Sequence, residues 1–469
     1  MPFHTVPTQK RLGKQFKIML HVKKTNTVLL FFFLCSSVVF FSCEVPQAIV
    51  TTSKNNKNIE YQIIPNKKNG IFVNNDRVGY DLMLKNKSNF KIRGVLNADV
   101  TNYQGRNIFS QQIGYSIDGR KAFSYDLKLD NAPMGPGFYQ MRLINVAEGY
   151  NINDTIYSVY GVDPERKYPT INLPTDFLKF WDNAKSELQG YDPKFRITRR
   201  GDKATRTLDI YLVEFESVDN YTIRGWLSIP KMSGKFSVLY QLPAYVTGFE
   251  PETERTDMAV FRLNVRGHGN SQDPMVGEFG SFATTDMNDA SKFIYKKVYL
   301  DALRGLDFLY KSAHLRLDTS KIMVYGEGQG ATIATAVCAL DPRPAGCIIE
   351  RPVFADIGTL MEMAATRPPQ WPTDIFTNYI SSSGMSTTDF YKLWDYHDPV
   401  NFAAFIRCPV LFGHSLLNQF SPPQCAISVY NQLASDKREM YISPNTNLEM
   451  DYIFYAYKDR WVKKVLRLP

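Results

Sequence analysis

A hydrophobic run, Lys321-Ile322-Met323-Val324-Tyr325, leads into Gly326-Glu327-Gly328-Gln329-Gly330, and an alanine-rich stretch over 331–340 leaves it. β-Branched and aromatic residues favour a strand before the turn, and alanine favours a helix after it. Glycine at alternate positions permits a reversal tight enough to fold that helix back onto its own strand. A strand joined so closely to a helix belongs in a parallel sheet with helices on its faces. The same alternation continues around it: helix 298–312, strand 322–325, helix 331–340, strand 347–350, strand 410–413, helix 423–433, strand 439–442 and helix 453–465. This predicts a doubly wound, mainly parallel sheet covered on both faces.

Residues from about 46 to 160 have a different texture. The runs 59–64, 79–84, 94–100, 123–129 and 138–146 alternate or favour β-branched and aromatic residues. Turn signals such as Asn74-Asn75-Asp76, Asp118-Gly119 and Pro133-Met134-Gly135-Pro136-Gly137 separate them. Short strands at this spacing without helices between them predict a β-sandwich of immunoglobulin type, with Val162-Asp163-Pro164-Glu165-Arg166-Lys167 as linker. An amphipathic helix over 176–188 and strands at 209–215, 222–230, 238–242 and 259–265 then open the second domain. At 469 residues the chain is long enough for both cores. The expected organisation is a signal segment over 1–42, a first domain over 43–165 and a second over 166–469.

The net charge of +9 suggests a polyanion partner until it is located. Residues 1–42 hold six basic residues (Lys10, Arg11, Lys14, Lys17, Lys23 and Lys24) and no acid, so the remainder carries 9 − 6 = +3. Nucleic acid is excluded as a partner on this ground. The basic leader runs into an apolar stretch over 28–41, too short to span a bilayer, which needs about 20 residues, and suited to a signal-peptide core. Phe40-Phe41-Ser42-Cys43 is similar to a bacterial lipobox, which implies acylation of Cys43 and anchoring at the outer membrane, on either face. Four cysteines then remain, Cys338, Cys347, Cys408 and Cys425, without metal-ligand spacing. They read as buried thiols in a compartment that also permits disulfides. No metal and no cofactor is expected.

Strand–turn–helix with G-x-S-x-G is the nucleophile elbow of serine hydrolases. Here its third position is Gly328, which carries no side chain, and no lysine follows Gly330 to make the turn a phosphate loop. Further pieces occur in order. They are Phe180-Trp181, Arg266-Gly267-His268-Gly269, Asp301-Ala302-Leu303-Arg304, Asp341-Pro342-Arg343, His397-Asp398-Pro399-Val400-Asn401 and Pro422-Pro423. With the glycine turn they make the chain from about 170 onward resemble carbohydrate esterase family 7, the acetyl xylan esterases and cephalosporin-C deacetylases.

The resemblance implies an α/β-hydrolase fold and acyl transfer by Ser, His and Asp. Carried over position by position, the serine slot falls on Gly328, the aspartate slot on Asn418 and the histidine slot on Leu448, and no histidine follows His414. Tyr245, His268, Gln329, Trp371 and His414 are the residues expected around the old pocket. The expected role is therefore a catalytically inactive structural or binding subunit of an outer-membrane protein complex. The alternatives are capture of an acetylated glycan, for which Trp371 or Trp394 must line the pocket, and an active carbohydrate acetyl esterase.

Overall fold

The computed structural model describes residues 49–52, 56–73, 76–147, 149–167, 172–272 and 280–468. The expected signal segment 1–42 and the expected lipidation site Cys43 lie outside the described residues. Among the described residues, no helix is long and apolar enough to cross a membrane.

The first strands are β1 (Ile49–Thr52), β2 (Ile59–Pro65), β3 (Ile71–Phe72), β4 (Gly79–Asn86) and β5 (Ile92–Asn102). β6 (Asn107–Ile117), β7 (Ala122–Lys128), β8 (Gly137–Ala147) and β9 (Ile152–Val162) follow. They form one sheet in the order β1-β2-β4-β7 and another in the order β3-β9-β8-β5-β6. Alternate residues of both sheets share one core, with Tyr61, Tyr80 and Leu82 from the first meeting Leu96, Met141 and Tyr160 from the second. A buried polar relay crosses it. Tyr61 Oη donates to Asp154 Oδ2 at 2.6 Å, and Asn145 Nδ2 donates to Tyr61 Oη at 2.6 Å. β6 and β9 were absent from the sequence expectation. The outward residues of β6 are mostly Asn, Ser and Gln, which blur the apolar alternation that identifies a strand.

The second sheet region holds β10 (Arg196–Arg199), β11 (Leu208–Glu216), β12 (Thr222–Pro230), β13 (Phe236–Leu242) and β14 (Ala259–Asn264). It continues with β15 (Leu317–Glu327), β16 (Gly346–Glu350), β17 (Val410–Ser415) and β18 (Arg438–Ser443). These form a nine-stranded sheet in the order β10-β11-β12-β14-β13-β15-β16-β17-β18. From β14 to β18 every pairing is parallel, whereas β10, β11, β12 and β14 pair antiparallel, so the sheet is mixed.

The helices are α1 (Phe177–Gly190), α2 (Ile294–Lys311), α3 (Gln329–Leu340), α4 (Ile357–Ala364) and α5 (Thr373–Ser383). After them come α6 (Thr387–Asp395), α7 (Pro399–Ala403), α8 (Pro423–Gln432) and α9 (Tyr452–Leu466). Val238, Tyr240 and Leu242 of β13 face the core shared with α1, α2, α3 and α8, while Leu239 faces the core under α9. Period-2 alternation therefore sorts the apolar residues of this strand between two helical layers. Residues 45–469 form one compact unit. Phe138 of β8 is buried in the α/β core, and its N–H donates to Gln424 Oε1 of α8 at 3.1 Å.

Candidate functional site

In the parallel part of the sheet, the carboxyl ends of the strands open onto one edge, and the segments that follow them build the site. Tyr245 follows β13, Gly328 follows β15, Arg351 to Asp356 follow β16, Asn418 follows β17 and Leu448 follows β18. Sequence-distant residues therefore meet there.

Two glycines are required for the turn after β15. A Cβ on Gly326 would lie 2.0 Å from the backbone carbonyl of Gly330, and one on Gly330 would lie 2.3 Å from Leu242 O. Gly328 itself has φ 57° and ψ −121° and heads α3, yet a Cβ there would meet no atom within 4 Å. Its N–H donates to Glu350 O at 2.9 Å, and its carbonyl accepts from Val353 N–H at 3.3 Å. The turn is thus held in the elbow shape, with open space above Gly328 and the positive end of the α3 dipole directed towards it.

Four of the five expected pocket residues are linked. Tyr245 packs on Trp371 with ring centroids 4.9 Å apart, and Phe282 touches both Tyr245 (6.1 Å) and His268 (4.9 Å). His268 Nδ1 faces Arg266 O at 3.0 Å, so that nitrogen carries the hydrogen and Nε2 is the acceptor. Nε2 receives Val246 N–H at 3.0 Å and lies 3.0 Å from Gln329 Nε2, while Tyr295 Oη donates to Gln329 Oε1 at 2.7 Å. Burial lowers the imidazole to about 4. His268 is therefore neutral and its lone pair is engaged, so it acts as a pillar of the site and not as a free base. Burial pushes the Tyr245 phenol up to about 12.

His414 does not join this group. It is 2% exposed at the end of β17 and stacks on Phe412 at 6.2 Å, and neither ring nitrogen forms a hydrogen bond among the described residues. Burial and then the Arg351 charge hold it at about 3, with the nearby Ser421 backbone opposing. Asn418 Oδ1 accepts from Phe420 N–H and Ser421 N–H, both at 3.0 Å, so this side chain shapes its own loop. Leu448 is 53% exposed, and its carbonyl accepts from the Arg351 guanidinium. Trp394 lies behind the pocket wall, 1% exposed and stacked on Phe354 at 5.7 Å, so of the two candidate tryptophans Trp371 is the one packed on Tyr245.

The sequence reading missed Phe354 and Arg351. Phe354 touches Tyr245 at 5.8 Å and Trp371 at 5.5 Å. Arg351 bridges Glu327 at 3.0 Å to the Leu448 loop. Arg351, Phe354 and Asp356 all have left-handed backbone, at φ 52°, 58° and 48° respectively. Non-glycine residues so placed cost about 1–3 kcal/mol each and cluster at functional sites; no residue-type pattern announces them. Cys338, Cys347 and Cys425 are buried, Cys408 is half-buried, and all four are free. Among the described residues, no cluster of three or more His, Cys, Asp or Glu is placed to hold a metal.

The family profile described as acetyl xylan esterase (AXE1) matches residues 164–465. Acetyl esterase Axe7A of Xylanibacter ruminicola is 24% identical over 346 residues, covering 71% of this chain and 75% of that protein. Acetyl xylan esterase 1 from Thermoanaerobacterium sp. superposes with a TM-score of 0.59 at 21% identity, over 64% of this chain and 97% of the other. Acetyl xylan esterase from Paenibacillus sp. R4 superposes with a TM-score of 0.56 at 25% identity, over 64% and 98%. The α/β-hydrolase fold expected for the C-terminal region is the fold observed. These matches correct the expectation of an inactive structural subunit of a membrane complex, because proteins similar to this chain across that whole region are acetyl esterases.

Proposed function

This chain belongs to the acetyl xylan esterase family, and from that membership we propose that it is a carboxylic ester hydrolase acting on acetylated carbohydrate. The observation that carries the reading is the turn at Gly328, held in elbow geometry at the carboxyl end of β15 with open space above it. An acetyl carbonyl fits that space, with the first-turn amides of α3 facing the oxygen that becomes negative during attack. Glycine offers no atom to acylate, so in this reading water attacks the carbonyl directly. The C–O bond to the sugar then breaks, and acetate and the free hydroxyl leave without an acyl-enzyme. Tyr245 and Trp371 supply the aromatic wall against which a sugar ring packs.

Acetate release from acetylated xylo-oligosaccharides tests the reading. Lacking a serine–histidine unit, such a site is expected to exceed the water reaction by about 10³–10⁴-fold. Tyr245→Ala should reduce the rate, and no burst should precede the steady state. A second reading, capture of the acetylated glycan without cleavage, is favoured by the residues at the family's triad positions, Gly328, Asn418 and Leu448. It predicts saturable binding with acetate release no faster than in buffer. Absence of both binding and release refutes both readings.

We also read the two N-terminal sheets as an immunoglobulin-type sandwich within a first domain over 43–165, followed by the esterase domain over 166–469. Acylation of Cys43 would hold the protein at the outer membrane. Palmitate labelling that persists in Cys43→Ala would refute the anchor.

A further inference from the structure

Three of the free cysteines meet at the end of the sheet opposite the candidate site, where the parallel strands begin. Cys338 lies in the last turn of α3, Cys347 is the second residue of β16, and Cys408 stands just before β17. Backbone pairing brings them together. Cys347 N–H donates to Pro409 O at 2.9 Å, which sets the neighbouring Cys408 beside β16. The Cys347 thiol lies 3.8 Å from Ala334 O, and Ala334 is one helical turn before Cys338. The Cys338 thiol accordingly faces both the Cys347 and the Cys408 thiols. Cys425 stands apart, with its sulfur 3.8 Å from Met363 Sδ.

As small apolar side chains, buried thiols can simply fill a core. Two features of this trio go beyond packing. It holds an accessible member beside buried ones: Cys408 is half-buried, whereas Cys338 is 2% exposed and Cys347 fully buried. The three also belong to separate elements, so a bond between two of them ties together parts of the chain that are distant in sequence. The trio is not placed to hold a metal ion. Cys347 adjoins Cys338 but lies farther from Cys408, so Cys338 is the buried thiol next to the accessible one.

We propose that Cys408 and Cys338 are a thiol–disulfide exchange pair, oxidised by a small organic disulfide to a bond that ties α3 to the start of β17. Cys408, the accessible thiol, loses its proton and attacks one sulfur of the reagent, expelling the other half as a thiolate. Cys338 then loses its proton, attacks the Cys408 sulfur and expels the second half. One S–S bond forms as the reagent's bond breaks, and the two protons pass through solvent to the released thiolates. Burial pushes the Cys338 and Cys347 thiols up, so neither begins the exchange, and proximity drives the second step. Because α3 starts at the Gly328 turn, the bond anchors the far end of the helix that carries that turn. The pair is independent of ester hydrolysis and stands or falls without it.

The folded full chain, treated with dithiodipyridine, blocked with N-ethylmaleimide and digested without reductant, gives the test by mass spectrometry. The peptides holding Cys338 and Cys408 should be recovered joined, with the loss of two hydrogens and no pyridyl adduct on either. Dithiothreitol should separate them. Cys338→Ala should keep the pyridyl adduct on Cys408, and Cys347→Ala should still form the bridge. A native chain that keeps the adduct on Cys408 without closing the bridge, or leaves Cys408 unmodified, overturns the proposal. So does a bridge from Cys408 to Cys347. The native chain gives the deciding result, so a variant that fails to fold does not blunt the test.

Discussion

Gly326 and Gly328 lie two residues apart in one turn, yet a methyl group added to each meets opposite surroundings. On Gly326 it would sit 2.0 Å from the carbon and oxygen of Gly330 and 2.6 Å from Ala331 N. All are backbone atoms at the start of α3, so no side-chain rotation relieves the overlap. Overpacking by a methylene costs about 1–3 kcal/mol where neighbouring side chains give way. Here the helix start itself has to move, and it is already fixed on its far side, where a Gly330 Cβ would lie 2.3 Å from Leu242 O. Gly326→Ala is therefore expected at or beyond the upper end of that range, about 3 kcal/mol or more. On Gly328 the methyl meets nothing within 4 Å, so the cost is that of an L-residue at φ 57°, about 1–3 kcal/mol. Urea unfolding of both variants, read as midpoint shifts at constant m, measures the difference. A Gly326→Ala variant within about 1 kcal/mol of the parent refutes the closed-turn argument, since the smallest overpacking costs are that large. A Gly328→Ala loss clearly above about 3 kcal/mol, more than backbone strain supplies, refutes the claim that the space above Gly328 is open.

Arg266 is 2% exposed and donates to Asp301 from Nε at 2.8 Å and Nη2 at 2.7 Å. Asp301→Ala removes the buried carboxylate and leaves the guanidinium to the half-exposed Asp219 at 3.6 Å and Val218 O at 3.3 Å, so it should cost about 3 kcal/mol in urea unfolding; a loss under about 1 kcal/mol contradicts this. Tyr61→Phe removes the hydroxyl that links the two N-terminal sheets through Asp154 and Asn145, with an expected loss of about 1–3 kcal/mol. An unchanged melting temperature would count against the relay. His414 is held at about 3, below its ordinary 6.5, so the unfolded chain takes up a proton in that window while the folded chain does not. Its contribution to stability is therefore lost as pH falls from about 6.5 towards 3, and His268 and His397 act in the same direction. His414→Leu should gain on the parent by about 2 kcal/mol more at pH 5 than at pH 7.5. A stability difference that is the same at both pH values rules out this titration as its cause.

Local periodicity alone determined much of this protein. The strand over 222–230 coincides with β12, the glycine turn falls between β15 and α3, and the parallel C-terminal sheet follows from strands alternating with helices. Each of these depends on neighbours in sequence, through side-chain period and backbone freedom. The segment 357–403, which forms α4 to α7, carried no such expectation, because those short helices depend on packing more than on propensity. The identities of Gly328, Asn418 and Leu448 were legible too, but they led to an inert scaffold that the family matches correct. The resemblance grouped Tyr245, His268, Gln329, Trp371 and His414 around one pocket, and only the tertiary structure showed the contacts that link the first four and left His414 apart, because these residues follow the ends of different strands. It alone fixed the protonation of His268, whose lone pair is engaged by Val246 and Gln329, residues distant in sequence. The chemistry of a buried group depends on which donors reach it through space, and spacing along the chain does not record that.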